Sequence, residues 1–202
     1  MTSNQNISPF VAALGPALDG AAPIVRRHLA CERQALHTGF LRRLWWRGPW
    51  GYLAARFLHL NGDPGAEEVR FELRNKLVVN GGGVVMLWHR THYRRSRPIS
   101  GIGLVRWDAD RGVLVDSIGQ TKRLEVELVP RVDDQAVVMT SRRQWFCIAG
   151  IRLPLPCFLF GSARTREWEE PGGRLGLSLI LHHPLLGAYA GYEAILAPEG
   201  LS

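Results

Sequence analysis

From residue 67 onward, apolar residues recur at every second position. Val69, Phe71, Leu73, Leu77 and Val79 fall on one side, and Glu68, Arg70, Glu72, Arg74 and Lys76 on the other. That alternation belongs to a strand with one dry and one wet face. Asn80, Gly81, Gly82 and Gly83 supply the backbone freedom of a tight turn, so residues 84–93 are expected to return as the second arm of a hairpin. Further strands are expected at 101–107, 112–118, 123–129, 136–146, 163–170, 174–182 and 186–196, with turn signals at 108–112, 133–134 and 171–173. Before residue 67 the period is helical. Val11, Leu14, Leu18, Ile24, Val25 and Leu29, interrupted by Gly15-Pro16 and Pro23, predict two short helices over 9–30. Residues 34–47 mix Leu36, Phe40, Leu44, Trp45 and Trp46 with basic side chains and fit a first strand. Pro49 suits the first turn of a helix whose apolar stripe is Tyr52, Leu53, Phe57 and Leu60, ended by Asn61-Gly62-Asp63-Pro64.

Eight to ten strands joined by short connections, with no helices between them, must bury their dry faces on a second sheet or curl until the sheet closes. Closure also removes the vulnerable edges. The expected fold is therefore mainly β, an antiparallel lipocalin-like barrel with short N-terminal helices, and the alternative is a β-sandwich. Residues 1–202 are read as one domain, with 1–62 forming the helical segment and first strand and 67–197 the barrel. A barrel of about eight strands has room for packed side chains or one small ligand.

Composition narrows the setting. No stretch reaches the roughly 18 uninterrupted apolar residues of a membrane-spanning helix, so no membrane span is expected. Residues 1–7 lack the basic start and apolar middle of a secretory signal, which makes a cytoplasmic location the expectation. Cys31, Cys147 and Cys157 are odd in number and have no metal or redox spacing; all three read as buried thiols. The formal charge of +7 suggests an anionic partner, but of the 25 basic residues only Lys76 and Lys122 are lysines. That skew follows from high genomic GC content alone. The arginines also sit beside acids, as in Arg164, Arg166, Glu167 and Glu169, and no basic run or nucleic-acid motif occurs. Nucleic acid is not expected as a partner.

The second half carries a longer signature. It runs Arg143-Gln144-Trp145-Phe146, Gly150-Ile151-Arg152-Leu153-Pro154-Leu155-Pro156, Ala163-Arg164-Thr165-Arg166-Glu167-Trp168-Glu169-Glu170, Pro184-Leu185-Leu186-Gly187 and Tyr189-Ala190-Gly191-Tyr192. Together with Leu14-Gly15-Pro16-Ala17-Leu18 and Val25-Arg26-Arg27-His28, it resembles the uncharacterised bacterial domain of unknown function family four-one-six-six. The resemblance implies a compact domain, in relatives often fused behind a saccharopine-dehydrogenase-like domain, and no assigned chemistry. It makes a dehydrogenase-like protein a candidate partner, with Trp45-Trp46 beside Arg42, Arg43 and Arg47 as a candidate docking patch. Gly101-Ile102-Gly103-Leu104-Val105-Arg106 begins like a dinucleotide fingerprint, but Arg106 stands where the third glycine belongs and no helix follows.

Other chemistries lack their residue patterns. There is no Gly-x-Ser-x-Gly elbow. His89 and His92, three apart, and the neighbours His182 and His183 divide between the two faces of their strands, so neither pair can chelate a metal from one face. No cofactor and no metal is expected. Carboxylates offer more. Glu167 and Glu169 share a face with Ala163 and Thr165, opposite Arg164, Arg166, Trp168 and Glu170, and either face can be the inner one. A Glu167 turned into an apolar barrel would hold its proton near neutral pH and could act as an acid or base, whereas turned outward it would pair with arginine. Glu193, opposite Tyr192, and Asp116, beside Leu114 and Ile118, raise the same question. The candidate catalytic residues are thus Glu167, Asp116, Glu193 and His89. Aromatic residues on the expected strands suggest a cavity for an apolar ligand, with Trp88, Tyr93, Trp145 and Tyr192 as candidate lining and Arg142 or Arg143 at the mouth for an anionic group. The functional expectation is binding of a hydrophobic small molecule. A cofactor-independent cyclase, isomerase or pericyclase in the same cavity is the alternative, and a partner-binding accessory domain the second alternative.

Overall fold

The computed structural model describes residues 7–57, 69–80, 83–94, 97–119 and 123–199. Short helices lead the chain: α1 (Pro9–Leu14), a 3-10 turn (Gly15–Gly20) and α2 (Pro23–Leu29). They are followed by β1 (Gln34–Trp46), α3 (Gly48–Phe57), β2 (Val69–Asn80), β3 (Gly83–Arg94), β4 (Arg97–Asp108), β5 (Val113–Ile118) and β6 (Leu124–Asp133). The remainder is β7 (Ala136–Ile148), β8 (Ile151–Pro154), α4 (Cys157–Phe160), β9 (Ser162–Glu170), β10 (Arg174–His183) and β11 (Gly187–Pro198). The expected end of α3 at Asn61–Pro64 and the glycines at 81–82 lie outside the described residues.

Every strand pairs antiparallel with its neighbours, in the order β6-β5-β4-β3-β2-β1-β11-β10-β9-β7-β8, and a β6–β7 pairing closes the ring. Ten strands, β1 to β7 and β9 to β11, form a closed barrel, as the alternation of the chain predicts. β1 is a full stave of it, in register with β11 (Leu44 opposite Tyr192) and β2 (His37 opposite Leu73). β7 serves two partners on one edge: β9 along Val137–Thr140 and β8 along Trp145–Ile148. Between them the wall would gape. Ser141 Oγ accepts from the Ala163 amide at 2.8 Å, and Gln144 Nε2 donates to the Gly161 carbonyl at 2.7 Å, stitching the gap.

Ten staves, the upper end of the eight to ten expected, enclose a wider space than an eight-stranded barrel, and side chains alone no longer fill it. One end is closed by the N-terminal helices. Phe10, Val25 and Leu29 are fully buried there, in one apolar cluster with the inner residues of the strands, and His28 is fully buried beside them. Ser8 caps α1 by accepting from the Phe10 amide at 3.3 Å, and its hydroxyl donates to the Leu29 carbonyl, binding the two helices together. The Ala22 amide bonds to the Gln135 carbonyl at 2.8 Å in the β6–β7 turn and fastens this plug to the rim. At the opposite end emerge α3, β8, α4 and the β10–β11 turn, and that end stays open.

Cys31 alone of the three thiols is buried; Cys147 and Cys157 are half-buried, because β8 and α4 belong to the open rim. Val79, placed on the dry face by its spacing, is exposed: β2 runs past the enclosed interior before it turns. No helix among the described residues is long and apolar enough to cross a membrane.

Candidate functional site

Inside the open end lies a cavity of about 850 Å3. Its walls are the inner residues of β6, β7 and β10, among them Val126, Leu128, Phe146, Leu179 and Leu181. Trp88 and Arg90 on β3, Asp116 on β5 and Thr165 on β9 supply its deepest, more polar part. The rim is apolar as well. Trp50 on α3 (61% exposed), Phe158 on α4 (66%) and Leu185 in the β10–β11 turn (87%) ring the opening. So large an exposed apolar collar around a pocket mouth is uncommon on a protein surface.

Alternation decides which side chains reach this space. On β3, Met86, Trp88 and Arg90 turn inward and His89 outward. Trp88 stacks on Phe10 of the plug (centroids 5.5 Å apart, planes 9° apart) and so forms part of the partition between plug and cavity. Arg90 Nη1 donates to Tyr192 Oη at 3.4 Å, and its guanidinium carbon lies 6.0 Å from the Trp88 ring. Burial opposes the charge on Arg90, but Tyr192, Asp116 and Glu167 more than offset it, and its pKa is raised.

Asp116 is 4% exposed and sits where Gly103 of the adjacent β4 has no side chain; a Cβ there would lie 2.7 Å from Asp116 Oδ1. The Gly-x-Gly of the apparent dinucleotide motif thus serves inside a strand, making room for a carboxyl. Desolvation pushes Asp116 up to about 6, with Arg90 pulling the other way. Gly103→Ala should therefore cost stability in the parent and add it once Asp116 is Ala. A double-mutant cycle read by urea denaturation is expected to show coupling of about 1–2 kcal/mol; an additive cycle would contradict the contact.

Glu167 points inward from β9, 1% exposed, one layer below the cavity. There it joins His28 of α2, His37 of β1 and Asn75 of β2. Asn75 Nδ2 donates to His28 Nε2 at 2.9 Å, the His28 and His37 rings meet edge to face at 4.6 Å, and Glu167 Oε2 is 3.9 Å from His28 Nε2. Burial raises Glu167 to about 8, opposed by Arg90. Burial, and then His37, holds His28 well below its ordinary value; burial, and then Arg27, brings His37 down to about 4. At neutral pH the Glu167–His28 approach is therefore a contact of uncharged groups rather than an ion pair.

The remaining sequence candidates lie elsewhere. Tyr192 is buried and accepts from Arg90, but it is not among the residues that line the cavity. Glu193 faces out and binds Arg42 Nη1 at 3.3 Å, because its neighbour Tyr192 takes the inner position. His89 and Tyr93 also turn outward, and the Tyr93 hydroxyl donates to Glu72 at 2.9 Å. Trp145 alternates with the cavity residues Gln144 and Phe146, so its ring lies outside beneath Arg152, 4.4 Å away. Arg142 and Arg143 are exposed at the β6–β7 register shift and stand away from the mouth. Trp45 is half-buried, its ring laid over Gly191, and Trp46 packs against the core, so the pair is not an exposed patch. The cation that does reach the interior is Arg90. Its even spacing from Met86 and Trp88 was the available signal. Among the described residues no three His, Cys, Asp or Glu side chains gather as a metal site requires.

The molecule is thus a closed ten-stranded antiparallel barrel, plugged by helices at one end and hollow toward the other. The chain belongs to the family described as Domain of unknown function (DUF4166), whose model matches residues 22–196, from the plug to the last strand. Among curated proteins it is similar to the uncharacterized protein YndH of Bacillus subtilis (strain 168), 22% identical over 136 residues. The match covers 66% of this chain and 66% of that relative, so the chain spans about two thirds of the length of the protein it matches.

Proposed function

We propose that the protein binds a hydrophobic small molecule inside the barrel, the use that lipocalin-type barrels make of their interior. The observation that carries this reading is the cavity of about 850 Å3, largely apolar in its walls, with Arg90, Asp116 and Thr165 at its deep end and Gln144 and His183 nearer the rim. Ligand pockets are of this size, roughly 300–1,000 Å3, and of this character: apolar walls with a few placed polar groups. Titration with the neutral solvatochromic dye Nile red tests it. A blue-shifted emission saturating at one dye per chain is expected, and Leu179→Trp, which fills the chamber from β10, should weaken binding roughly tenfold or more while thermal unfolding stays cooperative. Equal binding by parent and variant would place the dye elsewhere and contradict the reading.

Asp116 favours a second reading, a cofactor-independent isomerase or cyclase in the same chamber. A cavity-lining carboxyl lifted to about 6 is well matched to general acid or base work near neutral pH. Asp116→Asn separates the two: an enzyme of this kind loses turnover, whereas a binding protein returns its ligand unchanged with or without the substitution.

A further inference from the structure

Arg90 carries a positive charge into an apolar chamber, where an ion is costly unless it is paired. Its hydrogen-bond partner, Tyr192 Oη at 3.4 Å, is a phenol rather than a carboxylate. Among the described residues no carboxylate oxygen lies within the 4.0 Å of an ion pair with it. Across the floor, Asp116 Oδ1 is buried and has no hydrogen-bond partner. A guanidinium with N–H groups to spare and a carboxyl with an idle oxygen therefore border the same space, whose walls are otherwise mostly apolar.

We propose that the cavity takes an amphiphile with an anionic head, of the fatty-acid carboxylate class, seated head-down on Arg90 with its alkyl chain running toward the open mouth. This rests on the reading of the cavity as a ligand site. A carboxylate matches the planar fork of a guanidinium with two parallel hydrogen bonds. Its second oxygen can accept from the carboxyl of Asp116, provided that Asp116 is protonated. The chain is then left among Val126, Leu128, Phe146, Leu179 and Leu181, and the collar of Trp50, Phe158 and Leu185 surrounds its exit.

Proton linkage follows. Arg90 from β3 is the charged group that acts on Asp116, and Tyr192 from β11 and Glu167 from β9 act in turn on Arg90; across the sheet Asp116 lies opposite Val105 of β4 and Val126 of β6, and α1 carries no charged residue. Desolvation raises Asp116 to about 6, and a second negative charge beside it pushes that value higher. Binding of the anion therefore takes up a proton, and affinity falls as pH rises from about 6 to about 8.

The test is a calorimetric titration of the intact chain with decanoate, decanesulfonate and decan-1-ol at about pH 6 and about pH 8. Decanesulfonate does not titrate in this range, so its pH dependence reports the protein. The anions should bind roughly tenfold or more tighter than the alcohol at the lower pH. Arg90→Gln should bring them down to the alcohol's affinity, and Asp116→Asn should remove most of the fall in decanesulfonate affinity between these pH values, leaving the smaller part that Glu167 contributes through Arg90. If the alcohol binds as tightly as the anions, or Arg90→Gln keeps the preference, the head-down assignment is overturned while the cavity reading stands. If none of the three binds, both fall. Should Arg90→Gln not fold, the probe series on the parent and Asp116→Asn still decides.

Discussion

Glu167→Gln should stabilise the protein, and by an amount that grows with pH. Glu167 is buried in the layer of His28, His37 and Asn75, and burial lifts its carboxyl from the ordinary value of 4.5 to about 8. Below the unfolded value both states hold the proton and nothing is lost. As pH rises past it, the unfolded chain releases the proton while the folded chain keeps it, so the parent loses stability at up to about 1.4 kcal/mol per pH unit until the folded group ionises too. Glutamine, neutral throughout, escapes that loss. Urea denaturation at a series of pH values is expected to show parent and variant converging near pH 4 and separating by several kcal/mol near pH 8. A constant difference between the curves would mean that Glu167 is ionised in the fold and that the polar layer is misassigned. Asp116, raised to about 6, adds a smaller loss of the same sign over a lower range of pH.

Phe10→Ala should be the most damaging single truncation in the plug. Phe10 is fully buried and stacked on Trp88, which lines the cavity on its other side. Loss of a buried aromatic ring costs about 3–5 kcal/mol, depending on how far the site collapses. The same change thins the partition between plug and cavity, so Trp88 fluorescence is expected to shift together with the fall in denaturation midpoint. Phe10→Leu, which retains most of the volume, should lose much less. A Phe10→Ala protein as stable as the parent would show that the N-terminal helices do not seal the barrel.

The two substitutions probe what the chain's alternation could and could not reveal. From Val69 onward, hydrophobic periodicity marked nearly every stave within a few residues, because each has one dry and one wet face and only closure buries ten such faces without leaving an edge. β8 and α4 escaped notice because Pro154 and Pro156 break the pattern, and because Ile151, Leu153, Phe158 and Leu159 are apolar yet exposed at the rim. The ten staves stand at the upper end of the eight to ten expected, and β1 is the least legible of them, because Arg42 and Arg43 at its register shift interrupt the alternation. In the site, Asp116, Glu167, Trp88 and Tyr192 turn inward; for Glu167 and Asp116 the alternation leaves either face open, and the barrel decides between them. Glu193, His89, Tyr93 and Trp145 fall on the other parity. Periodicity states that two neighbours face opposite ways, and it leaves open which of them faces in until the remaining staves are counted. Arg90 was passed over because a charged side chain on an inner face runs against the usual pattern, which is also why it marks the chamber floor.

The polar layer around Glu167 likewise could not be foreseen from spacing. His28 comes from the plug, His37 from β1, Asn75 from β2 and Glu167 from β9, and only barrel closure brings these four together.

Anomalous diffraction from crystals grown with a bromoalkane reads the interior most directly. A bromine peak is expected inside the wall, between Trp88, Thr165 and Leu179. A solid interior at that place, or bromine found only on the outer surface, would contradict the account.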